Sequence, residues 1–413
     1  MEYKLQEYCR VCKNKNLVRV IELGEQYLTG VFPDNPDQKI SKGPLNLVKC
    51  YGKNSCGLVQ LEHTFNHNEM YGENYGYRSG LNKSMVSHLQ SKVRKIESFV
   101  KLNNDDTIID IGSNDGTTLK LYKNQKMNLV GIDPTAYKFK KLYTSNILLI
   151  SDFFTKKIFN VYLKNKKAKV VTSISMFYDL PDPLKFASDI SEILDNDGIW
   201  VLEQSYIIEM LKTNSYDTIC HEHLEYYSIH DLKYIAEKCE LKIVDIEFND
   251  INGGSFSAVL AKKNSKYLQY ENLDKLLKSE IDFGIKSLEI YREFQQRIDK
   301  AKNDIISTLK KYKSDNIPVA CLGASTKGNV MLQYCQIGKD LIELVGEVNE
   351  EKFGKVTPGT NIPIVDQKIL LNSKYNHFLV LPWHFKNFFL ENKLLSGKNL
   401  IFALPNIEVI KVD

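Results

Sequence analysis

The sequence predicts an α/β protein built on a mostly parallel, Rossmann-like sheet, with a small cysteine-rich unit before it and a second α/β unit after it. Three observations predict this. Strand-like runs alternate with helical patterns between 71 and 265, the alternation resumes after a long helical stretch beyond 266, and Cys9, Cys12, Cys50 and Cys56 crowd into the first 56 residues. At about 150 residues per domain, 413 residues fit two or three domains, placed here at 1–70, 71–265 and 266–413.

Residues 1–70 show few helical periods. Leu45–Val48 and Leu58–Leu61 flank the second cysteine pair and read as a hairpin. A unit this small buries little core, so a metal staple is physically reasonable. In 71–265 a helix comes first, with Met85, Leu89, Val93 and Ile96 at spacings of three and four. Strands follow at Thr107–Ile111, Leu129–Ile132, Ile147–Ile150, Val170–Ile174 and Ile199–Glu203. Lys242–Phe248 and Phe256–Ala261 then form a hairpin across NDINGGS. That is the strand count of a class I methyltransferase sheet. The third unit opens with helical spacing from Leu273 to Leu309, with Gly284 as a bend or break. Strands Pro318–Leu322, Leu344–Val348, Phe378–Pro382 and Leu400–Ala403 complete it.

Hydrophobic residues at 43% and charged residues at 26% exclude a largely disordered chain. No apolar run approaches the roughly 18 residues of a membrane helix, and MEYKLQEYCR lacks the apolar core of a signal peptide, which predicts a cytoplasmic protein with no membrane partner. A net charge of +4 does not mark a nucleic-acid binder and suits a small anionic substrate.

Two thiolates on each of two tight turns give zinc a tetrahedral shell, so Cys9, Cys12, Cys50 and Cys56 are the expected ligands of a structural Zn²⁺. Cys9-x2-Cys12 has the usual spacing and Cys50-x5-Cys56 is wider. A full thiolate shell leaves no position for substrate.

In IIDIGSNDG, Asp110 precedes the turn Gly112-Ser113-Asn114-Asp115-Gly116 at the start of a helix. Gly112 permits the tight turn, Gly116 permits close approach of a ligand, and Asn114 tolerates the left-handed backbone. Asp115 would repel a pyrophosphate but suits the ammonium of S-adenosylmethionine (SAM). The next strand ends in GIDP, where Asp133 is expected to take both ribose hydroxyls beside Pro134. The third ends in SDFF, which puts Asp152 and Phe153 at the adenine. Ser175, Met176, Phe177 and Tyr178 follow the fourth strand at the ligand edge.

After the fifth strand, TICHEHLEYY gathers His221, Glu222 and His223. His223 is the expected general base, with His221 as the alternative, and Glu222 supports the imidazole. If the segment is extended, His221 and His223 share a face. The turn GASTKGN is not a P-loop, because Lys327 precedes Gly328 instead of following it. A Gly-rich helix start still binds anions. Gly323, Ser325, Lys327 and Asn329 are the expected phosphate contacts of a nucleotide-linked substrate, and Glu347 the contact to its ribose.

These motifs resemble the three-domain SAM-dependent sugar C-methyltransferases, which methylate nucleotide-linked 4-keto-6-deoxysugars. CRVC, CGLVQL, GYRSG, DIGSNDG, GIDP, DTICHEH, NGGS, GASTKGN and TPGTNIPI carry the resemblance over nearly the whole chain. It implies a zinc domain, a central SAM domain and a C-terminal domain that helps hold the nucleotide. It also implies methylation at C3 through an enolate, with Glu222 and His223 as the catalytic pair. Cys220 stands where the family has a catalytic tyrosine. O-methylation of a sugar hydroxyl, or binding of donor and nucleotide-sugar without catalysis, are the alternative readings.

Overall fold

The computed structural model describes residues 3–65, 70, 78–164 and 166–413. The cysteine-rich unit is built from β1 (Leu17–Tyr27), β2 (Lys42–Cys50) and β3 (Val59–Leu61). The apolar residues Ile21 and Leu23 of β1 alternate towards the core, and a register shift between Glu22 and Glu25 then turns the polar Gln26 inward.

The central unit opens with helix α1 (Lys83–Phe99), whose cap Asn82 accepts the amide protons of Ser84 and Met85. Strands β4 (Thr107–Ile111), β5 (Asn128–Ile132), β6 (Ile147–Ile150) and β7 (Ala168–Ile174) follow. Next come α2 (Pro183–Ile193), β8 (Leu194–Ser205), the two-residue β9 (Glu225–Tyr226) and α3 (Ile229–Lys238). The hairpin β10 (Leu241–Asn249) and β11 (Ser255–Lys262) closes the unit. The seven-stranded sheet runs β10-β11-β8-β7-β4-β5-β6, with the β10–β11 and β11–β8 pairs antiparallel and the rest parallel. The chain reverses its direction of travel across the sheet between β4 and β7. Their carboxyl ends therefore frame the crevice where such sheets bind ligands.

The predicted break at Gly284 is real. Helix α4 (Leu273–Phe283) ends on Gly284 at φ 95°, and α5 (Glu289–Ser314) starts afresh. Then β12 (Val319–Leu322), β13 (Val345–Glu347), β14 (Ile364–Asp366), β15 (His377–Val380), β16 (Asn399–Phe402) and β17 (Glu408–Lys411) form a six-stranded sheet, in the order β14-β13-β12-β15-β16-β17, with α6 (Thr326–Tyr334) following β12. Strands β1, β9, β14 and β17 lie outside the runs expected from sequence.

The three units do not pack as separate cores. Leu45, Leu47 and Leu61 of the first, Ile109, Trp200 and Tyr227 of the second and Ile298, Cys321 and Val330 of the third belong to one continuous apolar cluster. The first sheet also recruits a strand from the central unit. Its order is β9-β3-β2-β1, with Glu225 opposite Gln60 and Tyr226 opposite Val59. The segment bearing the predicted base runs directly into this borrowed strand.

Candidate active site and metal centre

All four Sγ atoms of Cys9, Cys12, Cys50 and Cys56 lie within 4.8 Å of one another. The shortest separations cross between the knuckles, 3.5 Å for Cys9–Cys56 and 3.4 Å for Cys12–Cys50. A tetrahedral zinc with Zn–S bonds of about 2.3 Å needs sulfurs about 3.8 Å apart, so the donor set fits the ion. The wide Cys50-x5-Cys56 loop closes because Gly52 at φ 89° and Asn54 at φ 63° take left-handed turns. Lys49, 2% exposed, donates to the Gly57 carbonyl at 2.7 Å and sets a positive charge beside the thiolate cluster.

At the β4–β7 edge lies a cavity of about 540 Å³. Gly112, Ser113 and Asn114 form one wall, and Asp110, Asp133 and Pro134 lie beside them. Phe153, Ser175 and Met176 also line it. Gly112 sits at φ 72°, and a Cβ there would meet Met176 Cγ at 3.0 Å. Asn114 takes φ 48°, the left-handed conformation its side chain tolerates. Burial raises the Asp110 carboxyl to about 7, although the Thr172 hydroxyl donates to it at 2.5 Å. Asp133 accepts from the Asn114 amide at 2.8 Å and from the Thr135 amide and hydroxyl, both at 2.7 Å. A carboxylate has about four acceptor positions. Asp133 thus has room for about one ribose hydroxyl, not the two expected.

Other expected contacts fall off the cavity wall. Asp115 is drawn aside by its own helix start, accepting from the Thr117 hydroxyl at 2.6 Å, the Gly80 amide at 3.0 Å and Arg78 Nε at 3.4 Å. Gly116 serves packing: a Cβ there would strike the Tyr143 ring at 3.0 Å. The Tyr143 hydroxyl braces the turn, 2.8 Å from Ser113 Oγ and donating to the Asn114 carbonyl at 2.9 Å. Asp152 is exposed and accepts the amide proton of Phe153. Phe177 is enclosed in the core, and the Tyr178 ring packs 4.3 Å from His223. Sequence reasoning missed Asp179, Asp182 and Asp189, which add acidic groups to the lining, and Met85 and Leu89 of α1, which cover it. Five lining carboxyl groups against Lys185 make the cavity suited to a cation.

The histidine segment is turned rather than extended. The His223 amide donates to the Cys220 carbonyl at 3.2 Å, and this turn sends the two imidazoles apart. His221, fully enclosed, has its Nε2 3.4 Å from the Gly43 carbonyl and meets Phe65 edge-on at 4.6 Å, so it packs at the interface between the first and central units. His223 Nδ1 donates to the Thr218 carbonyl at 2.8 Å, which leaves Nε2 as the basic nitrogen. Burial, with a contribution from the Lys327 ammonium, lowers its pKa to about 4. Burial raises Glu222, whose Oε2 has no hydrogen-bond partner among the described residues. Cys220 is 2% exposed, and burial pushes its thiol well up, so it stays neutral.

The second Gly-turn is folded in on itself. Ser325 Oγ caps α6 by accepting the Gly328 amide at 2.9 Å. Glu347 accepts the amides of Ala324, Val348 and Asn349 at 2.7, 2.7 and 3.0 Å. Asn329, fully enclosed, donates to the Thr29 carbonyl and so docks the N-terminal unit. Lys327 reaches back to the Asn252 carbonyl at 2.5 Å and is electrostatically coupled to Asp217 and Cys220. These four residues are therefore engaged within the protein, and Lys327 belongs beside the histidine loop. Trp383 Nε1 donates to Asp217 at 2.9 Å across the same boundary.

Three family models match in order along the chain: "Putative zinc binding domain" over 9–71, "Methyltransferase domain" over 85–246 and "C-methyltransferase C-terminal domain" over 250–405. The chain is also 27% identical to the C-methyltransferase NovU of Streptomyces niveus over 98% of this chain and 97% of that protein. Together these matches support a SAM-dependent C-methyltransferase. This C-methyltransferase also matches the solved SAM-dependent methyltransferase of Clostridium acetobutylicum (14% identity, 42% of this chain, 91% of that chain, TM-score 0.33) and the CcbJ methyltransferase of Streptomyces caelestis (9%, 42%, 89%, 0.33).

The C-methyltransferase thus uses SAM and carries a zinc-binding unit, and it methylates a small molecule. Among its described residues no helix is long and apolar enough to cross a membrane. Of the GYRSG motif, Gly76 and Tyr77 lie outside the described residues.

Proposed function

We propose that this C-methyltransferase acts on a nucleotide-linked 4-keto-6-deoxysugar in the cytoplasm, methylating C3 through an enolate with His223 as base. The three sequence segments 1–70, 71–265 and 266–413 act as zinc, SAM and nucleotide-sugar domains. The observation that carries the reading is the tautomer of His223. With Nδ1–H held by the Thr218 carbonyl, Nε2 keeps its lone pair, and burial keeps the ring neutral at physiological pH.

SAM supplies an electrophilic sulfonium methyl, and the acid-lined cavity at Asp110 and Asp133 favours its positive charge. His223 Nε2 takes the C3 proton, and the adjacent C4 carbonyl accepts the resulting electron pair as an enolate. C3 then forms its bond to the methyl as the carbon–sulfur bond breaks. Holding both reactants in place contributes roughly 7–11 kcal/mol. Burial, joined by repulsion from the Lys327 ammonium, keeps His223 unprotonated in the free protein. Lys327 pairs with the diphosphate of the substrate by exchanging the Asn252 carbonyl for it, which removes that repulsion and makes His223 more basic when substrate is present.

The test is solvent exchange. In heavy water without SAM, the protein should wash deuterium into C3 of a nucleotide-linked 4-keto sugar, and His223→Ala should stop it. Methylation of a sugar that lacks the ketone, with no exchange, overturns the reading.

A further inference from the structure

Residues 221–226 run along the seam between the zinc unit and the central unit. His221 lies against Gly43 and Phe65. The Glu222 carboxylate abuts Gly30 so closely that a Cβ there would lie 2.6 Å from its Oε1. The Leu61 amide donates to the Leu224 carbonyl at 2.9 Å, and Glu225 and Tyr226 form the edge strand on β3. Two members of this run turn to the central unit instead: His223 towards the Thr218 carbonyl, and the Leu224 amide, which donates to the Tyr178 carbonyl at 2.7 Å.

One side chain ties the run to the metal knuckle. Arg10 lies between Cys9 and Cys12 and is 1% exposed. Its Nη1 donates to the Leu61 carbonyl at 2.8 Å, and its Nη2 to the Thr64 hydroxyl at 2.7 Å and the His63 carbonyl at 3.3 Å. Its Nε lies 3.5 Å from Glu225, a carboxylate 2% exposed whose oxygens have no hydrogen-bond partner among the described residues. The guanidinium therefore hydrogen-bonds the β3 end and the residues after it, and its Nε edge faces the first residue of β9 in an ion contact. A planar fork with fixed donor directions can set a register that a lysine cannot.

We propose that Arg10 is a positioning residue for the methyl transfer: it locks β9 onto β3, and through that register sets where His223 presents Nε2. The inference rests on His223 as the base. A zinc ion on the four cysteines would hold the knuckle that carries Arg10 and so bear on this linkage.

The test uses the zinc-loaded full chain with Arg10→Lys, the charge-neutral pair Arg10→Gln/Glu225→Gln, and His223→Ala. The pair leaves no unpaired buried charge, and Arg10→Lys keeps the charge but loses the fork. Both should retain one zinc per chain, bind SAM within about twofold of wild type by calorimetry and keep the KM for SAM. Turnover should fall about tenfold in the pair and severalfold in Arg10→Lys. Amide hydrogen exchange should rise at 221–226 and stay unchanged at 107–116. Wild-type turnover in Arg10→Lys or in the pair, or a loss of zinc and SAM affinity in step with turnover, overturns the inference. If those variants are unaffected while His223→Ala is dead, only the role of Arg10 fails. If His223→Ala turns over normally, the base assignment fails and takes this inference with it.

Discussion

The chain builds the same turn twice and uses it differently. Asp110-x-Gly112 leads β4 into its helix, and Cys321-x-Gly323 leads β12 into α6. Each turn has an acidic residue at the end of the neighbouring strand, Asp133 or Glu347, and each acid accepts an amide of its own turn. Around the first turn the chain leaves a cavity of about 540 Å³. Around the second, the Ser325 cap, the three amides on Glu347 and Pro382 against Gly323 take up the polar groups and the space. The strand–turn–helix motif is thus permissive. What the rest of the chain places against it decides how much of the turn is left open.

The acids should separate the turns most sharply. Asp133→Ala should weaken SAM binding by about a hundredfold, since a hydrogen bond to a charged group and the brace on Asn114 go together. Glu347→Ala should leave SAM affinity unchanged while costing about 2 kcal/mol of stability through orphaned amides, and calorimetry with denaturant titration reads both. A common loss of SAM affinity would break the comparison. The glycines come next. A Cβ at Gly323, φ 82°, would lie 2.7 Å from the Pro382 ring, which cannot yield, so Gly323→Ala should cost about 2 kcal/mol of stability. Gly112→Ala meets the flexible Met176 instead and should show mainly in the SAM dissociation constant.

Asp110, where the second turn has Cys321, adds a pH signature. Its carboxyl is raised to about 7 from 3.8, so the folded state binds the extra proton. The associated stability is complete below about pH 3.8 and is lost as pH rises through about 7. A cationic donor prefers the ionised form, so SAM affinity should drop about tenfold from pH 8 to 6, and Asp110→Asn should flatten that profile. His221 runs the other way. Lowered to about 4 by burial, it contributes stability that is complete above pH 6.5 and lost as pH falls through about 4, which thermal melts of His221→Asn should reveal. The smallest effect is expected at Asn329. Replacement by Ala should cost about 1 kcal/mol of docking to the N-terminal unit, measurable as a lower midpoint in denaturant.

The strands of both sheets that are buried apolar runs were legible in the sequence; Thr107–Ile111 and Ile147–Ile150 match residue for residue. Strand β1 was not, because Gly24 and its charged neighbours blur the alternation that pairing with β2 then enforces. The two-residue β9 has no periodicity to read and exists because β3 offers it an edge. In the site, Gly112 and Asn114 follow from turn geometry, which is local. Asp115 was misplaced by an equally local competitor, the Thr117 hydroxyl, and Gly116 by Tyr143, a partner far along the chain that carries no turn signal. His221 and His223 were separated by a turn that their alternating spacing does not announce.

The borrowed strand has a consequence for how such a chain can be rearranged. With Glu225 and Tyr226 completing a sheet whose other members precede residue 62, the N-terminal portion is not a detachable cassette. A chimera that exchanges it for a foreign counterpart would inherit an open edge and a buried acid lacking its guanidinium. Recombination within this architecture should therefore succeed only where the donor brings both halves of that seam.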